Sequence, residues 1–199
     1  MKSTVSGTMK YNIVVLIALL TQIAYGQNKY EKESRIAQEQ FPNTSYSLIQ
    51  NYLADAKRVR FYFETNGDRK SYEAKFKKGK LHYSVEFDQN GNLEDVEFII
   101  AEIDIPEDTW QIITDYLRNN FPKYRIKKIQ QQHPLHQQNP KKTIHDALQN
   151  LILPYINYEV VFAVKENKSY QSYEALFNAE GQFVKISKSF PASYDHVLY

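Results

Sequence analysis

The stretch from Ser71 to Phe98 constrains the fold more than any other part of the chain. Apolar and polar residues alternate through three successive segments, which are separated at Lys78-Gly79-Lys80 and around Asn90-Gly91. A period of two places one set of side chains on a core and the other set in water. Asn-Gly supplies the positive φ angles that a hairpin turn requires. We therefore expect three antiparallel strands, because a parallel sheet buried on both faces would show continuous apolar runs.

The first 26 residues have the composition of a secretory signal peptide. Lys2 and Lys10 precede a short apolar run, IVVLIALL, and Ala24-Tyr25-Gly26 has the small-x-small pattern of a cleavage site. The run is too short to span a bilayer stably. An uncleaved anchor is the alternative, which the polar residues directly after the run disfavour. The sequence therefore predicts an exported protein, periplasmic or secreted, that does not span the membrane after signal removal.

Charge and cysteine content exclude several classes of function. Removing the two lysines of the predicted signal from the 25 basic residues leaves 23, which equals the number of acidic residues. Nucleic-acid binding is therefore not expected, because it needs a surplus of positive charge. The chain has no cysteine, which excludes disulfides, thiolate metal sites and a lipid-modified cysteine. An exported protein of this kind must rely on its hydrophobic core.

Two parts of the chain are similar to each other. Residues 35–53 match residues 99–117 at a constant offset of 64, and two later segments match parts of the opening stretch. We interpret these matches as an internal duplication. The corresponding positions are Phe41-Pro42 with Ile105-Pro106, Tyr46 with Trp110, Ile49 with Ile113, Tyr72–Phe76 with Tyr158–Phe162, and Tyr83–Gly91 with Tyr173–Gly181.

The duplication predicts an α+β fold of two tandem repeats. Each repeat is expected to be a helix followed by an antiparallel meander of about four strands, with the helices packed on one face of the sheet. The predicted boundaries are residues 27–104 and 105–190, followed by a C-terminal tail at residues 191–199. The second repeat carries an insertion, residues 130–154, made of a polar loop (QQQHPLHQQNP) and a helix that ends at Pro154.

The motifs of these repeats resemble a known family. YEAxF, then YxVEFDxxGNLEDVE, then Ile-Pro before a helix, is similar to the PepSY-like proteins of Bacteroidota, which are described as having a fold like that of β-lactamase-inhibitor proteins. The resemblance covers most of residues 33–189 and implies an extracytoplasmic, non-enzymatic binding or inhibitory module without a catalytic motif. The matching positions are Ser71–Phe76, Tyr83–Glu97, Ile105–Leu117, Tyr158–Phe162 and Tyr173–Gly181.

No group of residues predicts an enzyme. A Ser-His-Asp grouping cannot be recognised, and a Gly-rich phosphate loop is absent from the sequence. Glu73, Glu159 and Glu174 each follow a tyrosine, and paired acids can serve acid–base chemistry. Their recurrence favours a structural role as partners of lysines on the wet face of the sheet. We therefore expect a protein that is not an enzyme and has no cofactor.

Three histidines are the candidates for a metal site. His133, His136 and His145 form an H-x2-H-x8-H pattern, and the first two lie on the predicted loop. Imidazoles are good ligands for zinc and copper. However, carboxylates and cysteines at a suitable spacing are missing, Pro134 stiffens the loop, and the surrounding glutamines indicate a solvated segment. The expectation is therefore that the chain has no metal site.

Charge is segregated along the chain. Residues 57–80 hold nine basic and three acidic residues, residues 81–117 hold ten acidic and no Lys or Arg, and residues 118–142 hold seven basic and no acidic residues. The simplest interpretation is that neighbouring strands pair these charges on the exposed sheet face. The alternative is a dipolar surface that steers a charged partner.

These observations predict an exported binding module that recognises a protein or peptide in the cell envelope, with an inhibitor-like role as one form of it. The binding surface is expected on the exposed sheet face and on the insertion, and the candidate contact residues are Tyr62, Leu135 and Val161. One alternative is small-ligand or metal binding in a cleft between the repeats, with His133 and His136 involved. A purely structural role in the envelope is the other.

Overall fold

The computed structural model describes residues 28–29, 31–121, 123–166 and 169–189, so the predicted signal peptide and C-terminal tail lie outside it. The helices are α1 (Asn43–Leu53), α2 (Glu107–Asn120) and α3 (Pro140–Leu148), and single 3-10 turns, Gln38–Gln40 and Glu102–Asp104, precede the first two. The strands are β1 (Asn28–Lys29), β2 (Glu31–Ile36), β3 (Lys57–Asn66), β4 (Arg69–Lys78), β5 (Leu81–Asp88), β6 (Leu93–Ile100), β7 (Tyr124–Pro134), β8 (Asn157–Glu166), β9 (Ser169–Asn178) and β10 (Phe183–Ser189). None of the helices in the described ranges is long and apolar enough to cross a membrane.

All of these strands belong to one sheet. Strands β2 to β10 pair in the order of the chain, each antiparallel to the next, whereas β1 pairs parallel with β10 at the opposite edge from β2. A single residue separates β1 from β2 in the sequence, and two residues of extended chain span only about 7 Å. The sheet therefore curls until residues 28–36 reach both of its edges.

The predicted α+β fold of two tandem helix-plus-meander repeats is wrong. Strand β6 pairs with β7, from Asp95 opposite Pro134 to Ile100 opposite Ile129, so the sheet runs without a break from one half of the chain into the other. Nine consecutive antiparallel strands and three helices make this a mostly-β fold within the described residues. Sequence similarity at a fixed offset reports local structure, and it carries no signal for the pairing that joins the two halves.

The three strands predicted between Ser71 and Phe98 are confirmed as β4, β5 and β6. The turns that join them contain Gly79 and Gly91, whose φ angles are +59° and +81°. Such angles strain any residue that carries a Cβ atom. The turn signals in the sequence therefore identified the correct ends of these strands.

The three helices and one face of the sheet, which we call the first face, form the hydrophobic core. Ile49 of α1 and Ile113 of α2 are fully buried in the same cluster as Phe87, Phe98 and Phe177 of the strands. Burying an aliphatic or aromatic side chain of this size contributes roughly 1.5–3 kcal/mol. A sheet of about nine strands that curls this far has no room for three helices on its inner side, so the first face is the outer, convex one.

Two glycines fix where α1 and α2 lie on the sheet. A Cβ atom on Gly91 would stand 2.6 Å from Thr44 Oγ1, and one on Gly181 would stand 2.6 Å from the carbonyl oxygen of Thr109. Each helix thus rests its first turn on a hairpin turn, β5–β6 for α1 and β9–β10 for α2. The hydroxyl of Ser45 secures the first of these contacts by donating to the Gly91 carbonyl at 2.9 Å.

The segment predicted as an insertion, residues 130–154, is partly a strand of the sheet. Gln130–Pro134 continues β7, so the predicted polar loop is limited to the residues between β7 and α3. The predicted helix over Thr143–Leu153 is observed as α3, Pro140–Leu148. The strand was missed because its buried residues are polar: Gln131 is 3% exposed and satisfies its amide by donating to the Leu151 carbonyl at 2.9 Å.

Candidate functional site

The face of the sheet opposite the helices, which we call the second face, carries the polar side chains of the strands. It is the concave face, and the buried residues of the helices belong to the core on the other side. Several polar residues of the second face are nevertheless buried, including Glu73 (4% exposed), Glu97 (6%) and Gln130 (6%). Buried charges are costly unless they are paired or hydrogen-bonded, so their surroundings determine what this face can do.

The strand register places three acidic residues in one row across the second face. Glu73 of β4 lies opposite Glu86 of β5, and Glu86 lies opposite Asp95 of β6. Like charges directly opposite each other destabilise a sheet. The two ends of the row belong to two groups of carboxylates, which differ in the side chains that contact them.

The first group, which we call the lysine-centred cluster, consists of Glu33, Glu64 and Glu73 around Lys75. The Lys75 ammonium lies 2.7 Å from Glu33 Oε1 and 2.8 Å from Glu73 Oε2. Ser84 donates its hydroxyl proton to the other oxygen of Glu73. These four charged groups form an ion network in which a positive charge from the chain itself sits between the carboxylates.

The pKa directions follow from this geometry. Burial alone would lower the pKa of Lys75, but the charges of Glu73 and Glu33 outweigh burial and raise it. Burial likewise opposes ionisation of Glu73, yet attraction to Lys75 and hydrogen bonds bring its pKa below the usual value. Both groups are therefore charged at neutral pH, as expected for a structural ion pair.

The second group, which we call the amide-bordered cluster, consists of Glu86, Asp95 and Glu97. One carboxylate oxygen from each lies within 4.8 Å of the others. Gln130 Nε2 donates to Glu97 Oε2 at 2.7 Å, and Gln132 Nε2 donates to Glu97 Oε1 at 2.9 Å. Burial, followed by the negative charges of Glu86 and Glu97, raises the pKa of Asp95 well above its usual value.

The amides of this cluster are themselves held in place. Asn157 Nδ2 of β8 donates to Gln132 Oε1 at 2.9 Å, which fixes the orientation of the Gln132 amide toward Glu97. Two acceptor atoms in the same region, Asp95 Oδ1 and Gln130 Oε1, are buried and have no hydrogen-bond partner. The arrangement is chemically suited to a positively charged or hydrogen-bond-donating ligand.

The candidate contact residues Tyr62, Leu135 and Val161 do not lie together. Tyr62 is on the second face but only 2% exposed, and the Lys75 ammonium lies 4.9 Å from the centre of its ring. Val161 is on the second face and partly exposed, opposite Glu174. Leu135 packs against the core of the first face. The structure therefore leaves Val161 as the one of the three that is partly exposed on the second face.

The three candidate histidines occupy three different environments. His133 lies in β7, is fully buried beside Phe98, and has its pKa lowered to about 4, mainly by burial. His136 stacks on the Tyr155 ring at 3.8 Å, and His145 is exposed on α3. Among the described residues, the groups of three or more possible metal ligands consist of carboxylates only, and they are the two clusters above.

Sequence reasoning missed both clusters, although a signal was present. Five of the six carboxylates alternate with core residues in β3 to β6, and the run of acidic residues between 81 and 117 includes all of the amide-bordered cluster. The predicted pairing of segregated charges does occur at Arg69, which makes two hydrogen bonds of 2.6 and 2.7 Å to Glu94. At Glu86, by contrast, the residue directly opposite on β6 is another acid, Asp95.

A shallow cavity of about 200 Å³ opens at the end of the sheet, between the β3–β4 and β5–β6 turns. Its polar groups are largely bonded to each other: Arg69 pairs with Glu94, and the Asp88 carboxylate accepts from the amides of Asn90 and Asn92. These bonds are typical of a stable turn, so the cavity is a weaker candidate than the second face.

Comparisons with known proteins find similarity to solved structures only. No family model and no curated protein matches the chain. A Bacteroides eggerthii protein, for which a periplasmic location has been proposed, has a TM-score of 0.50 at 10% identity over 77% of this chain and 93% of its own. Two further Bacteroides proteins are also similar in structure. A DUF2874 family protein from Bacteroides ovatus has a TM-score of 0.49 at 12% identity, over 74% of this chain and 87% of its own. A BLIP-like protein from Bacteroides fragilis has a TM-score of 0.47 at 13% identity, over 79% of this chain and 92% of its own. The solved structures that resemble this chain are thus BLIP-like and DUF2874 family proteins of Bacteroides, and the PepSY-like part of the predicted resemblance stays a prediction.

Proposed function

We propose that this chain is an exported, non-enzymatic binding module that holds a protein or peptide segment of the cell envelope against its second face. The observation that carries the proposal is the difference between the two faces of the sheet. Three helices and an aromatic core occupy the first face, whereas the described helices leave the second, concave face to polar side chains. A concave polar face built on a rigid sheet suits recognition of an extended or protruding segment.

The charge of the second face supports a partner with basic side chains. Glu159 of β8 and Glu174 of β9 are partly exposed on it, and the register places Val161 between Glu174 of β9 and Lys128 of β7. The amide-bordered cluster adds three further carboxylates on the neighbouring strands. Complementary charge raises the association rate and selects the partner, and the partly exposed Val161 offers an apolar contact beside Glu174.

An exported location agrees with the predicted signal peptide at residues 1–26. The same location has been proposed for the Bacteroides eggerthii protein that shares the fold.

A peptide-display selection tests this function. The chain without residues 1–26 is immobilised, peptides are selected from a random library, and enriched peptides are titrated against the chain in solution. We expect peptides rich in Lys and Arg. Glu174→Lys is expected to weaken their binding roughly tenfold, since it replaces an attraction by a repulsion worth about 1.4 kcal/mol.

The matched control is Glu180→Lys, which makes the same change at an exposed residue of the β9–β10 turn. This variant is expected to bind the peptides as the unchanged chain does. Equal loss in both variants, or no enrichment over an unrelated immobilised protein of similar charge, contradicts the proposal.

A further inference from the structure

We propose that the second face has a basic end, formed by Lys57, Arg58 and Lys77, that binds acidic side chains of the partner segment. This site rests on the proposed function, because it lies on the same face and takes another part of the same partner. The partner segment is then of mixed charge: its basic residues lie toward Glu159 and Glu174, and its acidic residues lie toward β3 and β4.

The strand register gathers the three basic residues at one end of the face. Lys57 of β3 lies directly opposite Lys77 of β4, and Arg58 follows Lys57 where the register of these two strands shifts. Lys77 belongs to the second face, because it alternates with Phe76, which lies in the core of the first face. Directly opposite side chains have Cβ atoms about 4.5–5.5 Å apart, so Lys57 and Lys77 can hold one carboxylate between them.

The residues of the basic end differ from other basic residues of the same stretch, which form salt bridges within the chain. Those salt bridges join Lys75 to Glu33 and Glu73, Lys78 to Asp55, and Arg69 to Glu94. Within the part of the chain that the structure describes, no salt bridge involves Lys57, Arg58 or Lys77. Lys57 and Arg58 are exposed, and Lys77 is half-buried. Like charges directly opposite each other destabilise a sheet, so a partner carboxylate would relieve this repulsion.

The backbone at Arg58 provides a separate observation. Its φ angle is +56°, in the left-handed region, which is uncommon for a residue other than glycine. Strained residues of this kind are concentrated at functional sites. Burial, followed by the positive charges of Lys77 and Arg58, lowers the pKa of His82 on β5. The charges of β3 and β4 therefore act together on one place of the second face, beside His82.

The acidic residues nearby determine which kind of anion fits the basic end. Glu73 and Glu86 lie on the same face, about 13 Å along β4 and β5 from Lys77 and His82. A uniformly anionic polymer, such as a nucleic acid, would meet these carboxylates as well and be repelled by them. The chain without its predicted signal also lacks the surplus of positive charge that such polymers require. A few carboxylates on a peptide that also carries basic residues avoid this conflict.

One row of the sheet joins the basic end to the acidic part of the face. The row contains one residue from each strand between β4 and β8, namely Lys77, His82, Ile99, Gln130 and Glu159. Neighbouring strands are about 4.8 Å apart, so the row is at most about 19 Å long. An extended peptide rises about 3.3 Å per residue, so the acidic and basic side chains of the partner should lie up to about six positions apart.

Extension of a selected basic peptide tests the basic end. A peptide enriched in the selection above is synthesised with a short serine linker followed by Glu-Glu or Gln-Gln, at either terminus. Each version is titrated against the chain without residues 1–26. At one terminus, Glu-Glu is expected to strengthen binding roughly tenfold over Gln-Gln. Lys77→Glu is expected to remove this gain, whereas Lys141→Glu, the same change at an exposed residue of α3, keeps it.

Two results of this titration overturn the proposal. One is that Glu-Glu strengthens binding at neither terminus, and the other is that the gain persists in Lys77→Glu. In both cases, binding of the unextended basic peptide leaves the proposed function intact, so the two failures are distinguishable.

NMR spectra of the unchanged chain provide a second measurement, which needs neither a selected peptide nor a variant. Acetyl-tetraglutamate amide, added at constant ionic strength, is expected to shift the side-chain signals of Lys57, Lys77 and His82, and not those of His145, which is exposed on α3. Absence of these shifts, or larger shifts with inorganic phosphate at the same concentration, overturns the proposal. If the shifts occur but the selection enriches no basic peptide, the proposed function fails and the basic end stands.

Discussion

The lysine-centred and amide-bordered clusters lie side by side on one sheet, and each brings three carboxylates close together. They differ in the side chains that contact these carboxylates. In the first, Lys75 stands between Glu33 and Glu73, and folding lowers the pKa of Glu73. In the second, Gln130 and Gln132 contact Glu97 through neutral amides, and folding raises the pKa of Asp95.

The difference separates a structural network from a candidate site. A carboxylate whose pKa is lowered contributes to the stability of the folded state, whereas one whose pKa is raised opposes it. Residues that reduce stability are commonly retained for function. The lysine-centred cluster is therefore best understood as part of the scaffold, and the amide-bordered cluster as part of the surface that the proposed basic partner would contact.

The largest expected effect is the removal of the central lysine. Lys75→Met should destabilise the protein by about 3 kcal/mol, because it leaves Glu73 buried without its counter-charge. Urea unfolding at neutral pH measures this change. Lys80→Met, at an exposed position in the β4–β5 turn, is the control and should stay within about 0.5 kcal/mol of the unchanged chain.

A double variant decides whether the ion pair is the cause. Lys75→Met combined with Glu73→Gln should regain a large part of the lost stability, since no charge is then left buried without a partner at that position. If the double variant is less stable than Lys75→Met alone, the lysine-centred cluster is not the self-compensated network described above.

How far the sequence predicts these clusters depends on the residue. The alternation in β4 to β6 correctly placed Glu73, Glu86 and Glu97 opposite the aromatic core. The hairpin turns fixed the register, and with it the position of Asp95 opposite Glu86. The pattern does not predict how deeply these acidic side chains are buried. Their burial depends on the curvature of the sheet, which comes from pairing at its distant edges.

The remaining errors have a common physical origin in buried polar residues. Gln130, Gln131 and His133 look like a solvated loop because sequence patterns equate polar with exposed, yet they lie in the middle of the sheet. Side-chain hydrogen bonds to Glu97 and to the Leu151 carbonyl make their burial possible. These bonds connect residues 20 and 33 positions apart, a separation at which residue spacing gives no information.

The two clusters should give pH dependences of opposite sign. Folding lowers the pKa of Glu73, so its contribution is present above the unfolded value of about 4.3 and is lost as the pH falls through the folded pKa. Folding raises the pKa of Asp95, so the folded state binds the proton more tightly. Stability from this group therefore falls as the pH rises from about 3.9 through the folded pKa.

Urea unfolding over a series of pH values separates the two contributions. Glu73→Gln should flatten the loss of stability on the acidic side, and Asp95→Asn should flatten the decline toward neutral pH. Variants with the same pH profile as each other would show that the clusters do not differ in the way proposed.

The smallest expected effect is that of removing the Asn157 side chain, whose amide holds the amide of Gln132. Asn157→Ala removes the hydrogen bond to Gln132 Oε1, which is 2.9 Å long and only partly buried, so we expect a loss of about 0.5–1 kcal/mol in stability. Gln132 would then hold Glu97 less firmly, and the affinity for the selected basic peptides should fall at most a few-fold without being abolished. Gln111→Ala, which removes an exposed side-chain amide on α2, should leave the affinity unchanged. Loss of stability in Asn157→Ala with unaltered peptide binding would mean that the amides only support the sheet, and that the carboxylates of the amide-bordered cluster are positioned by the strands alone.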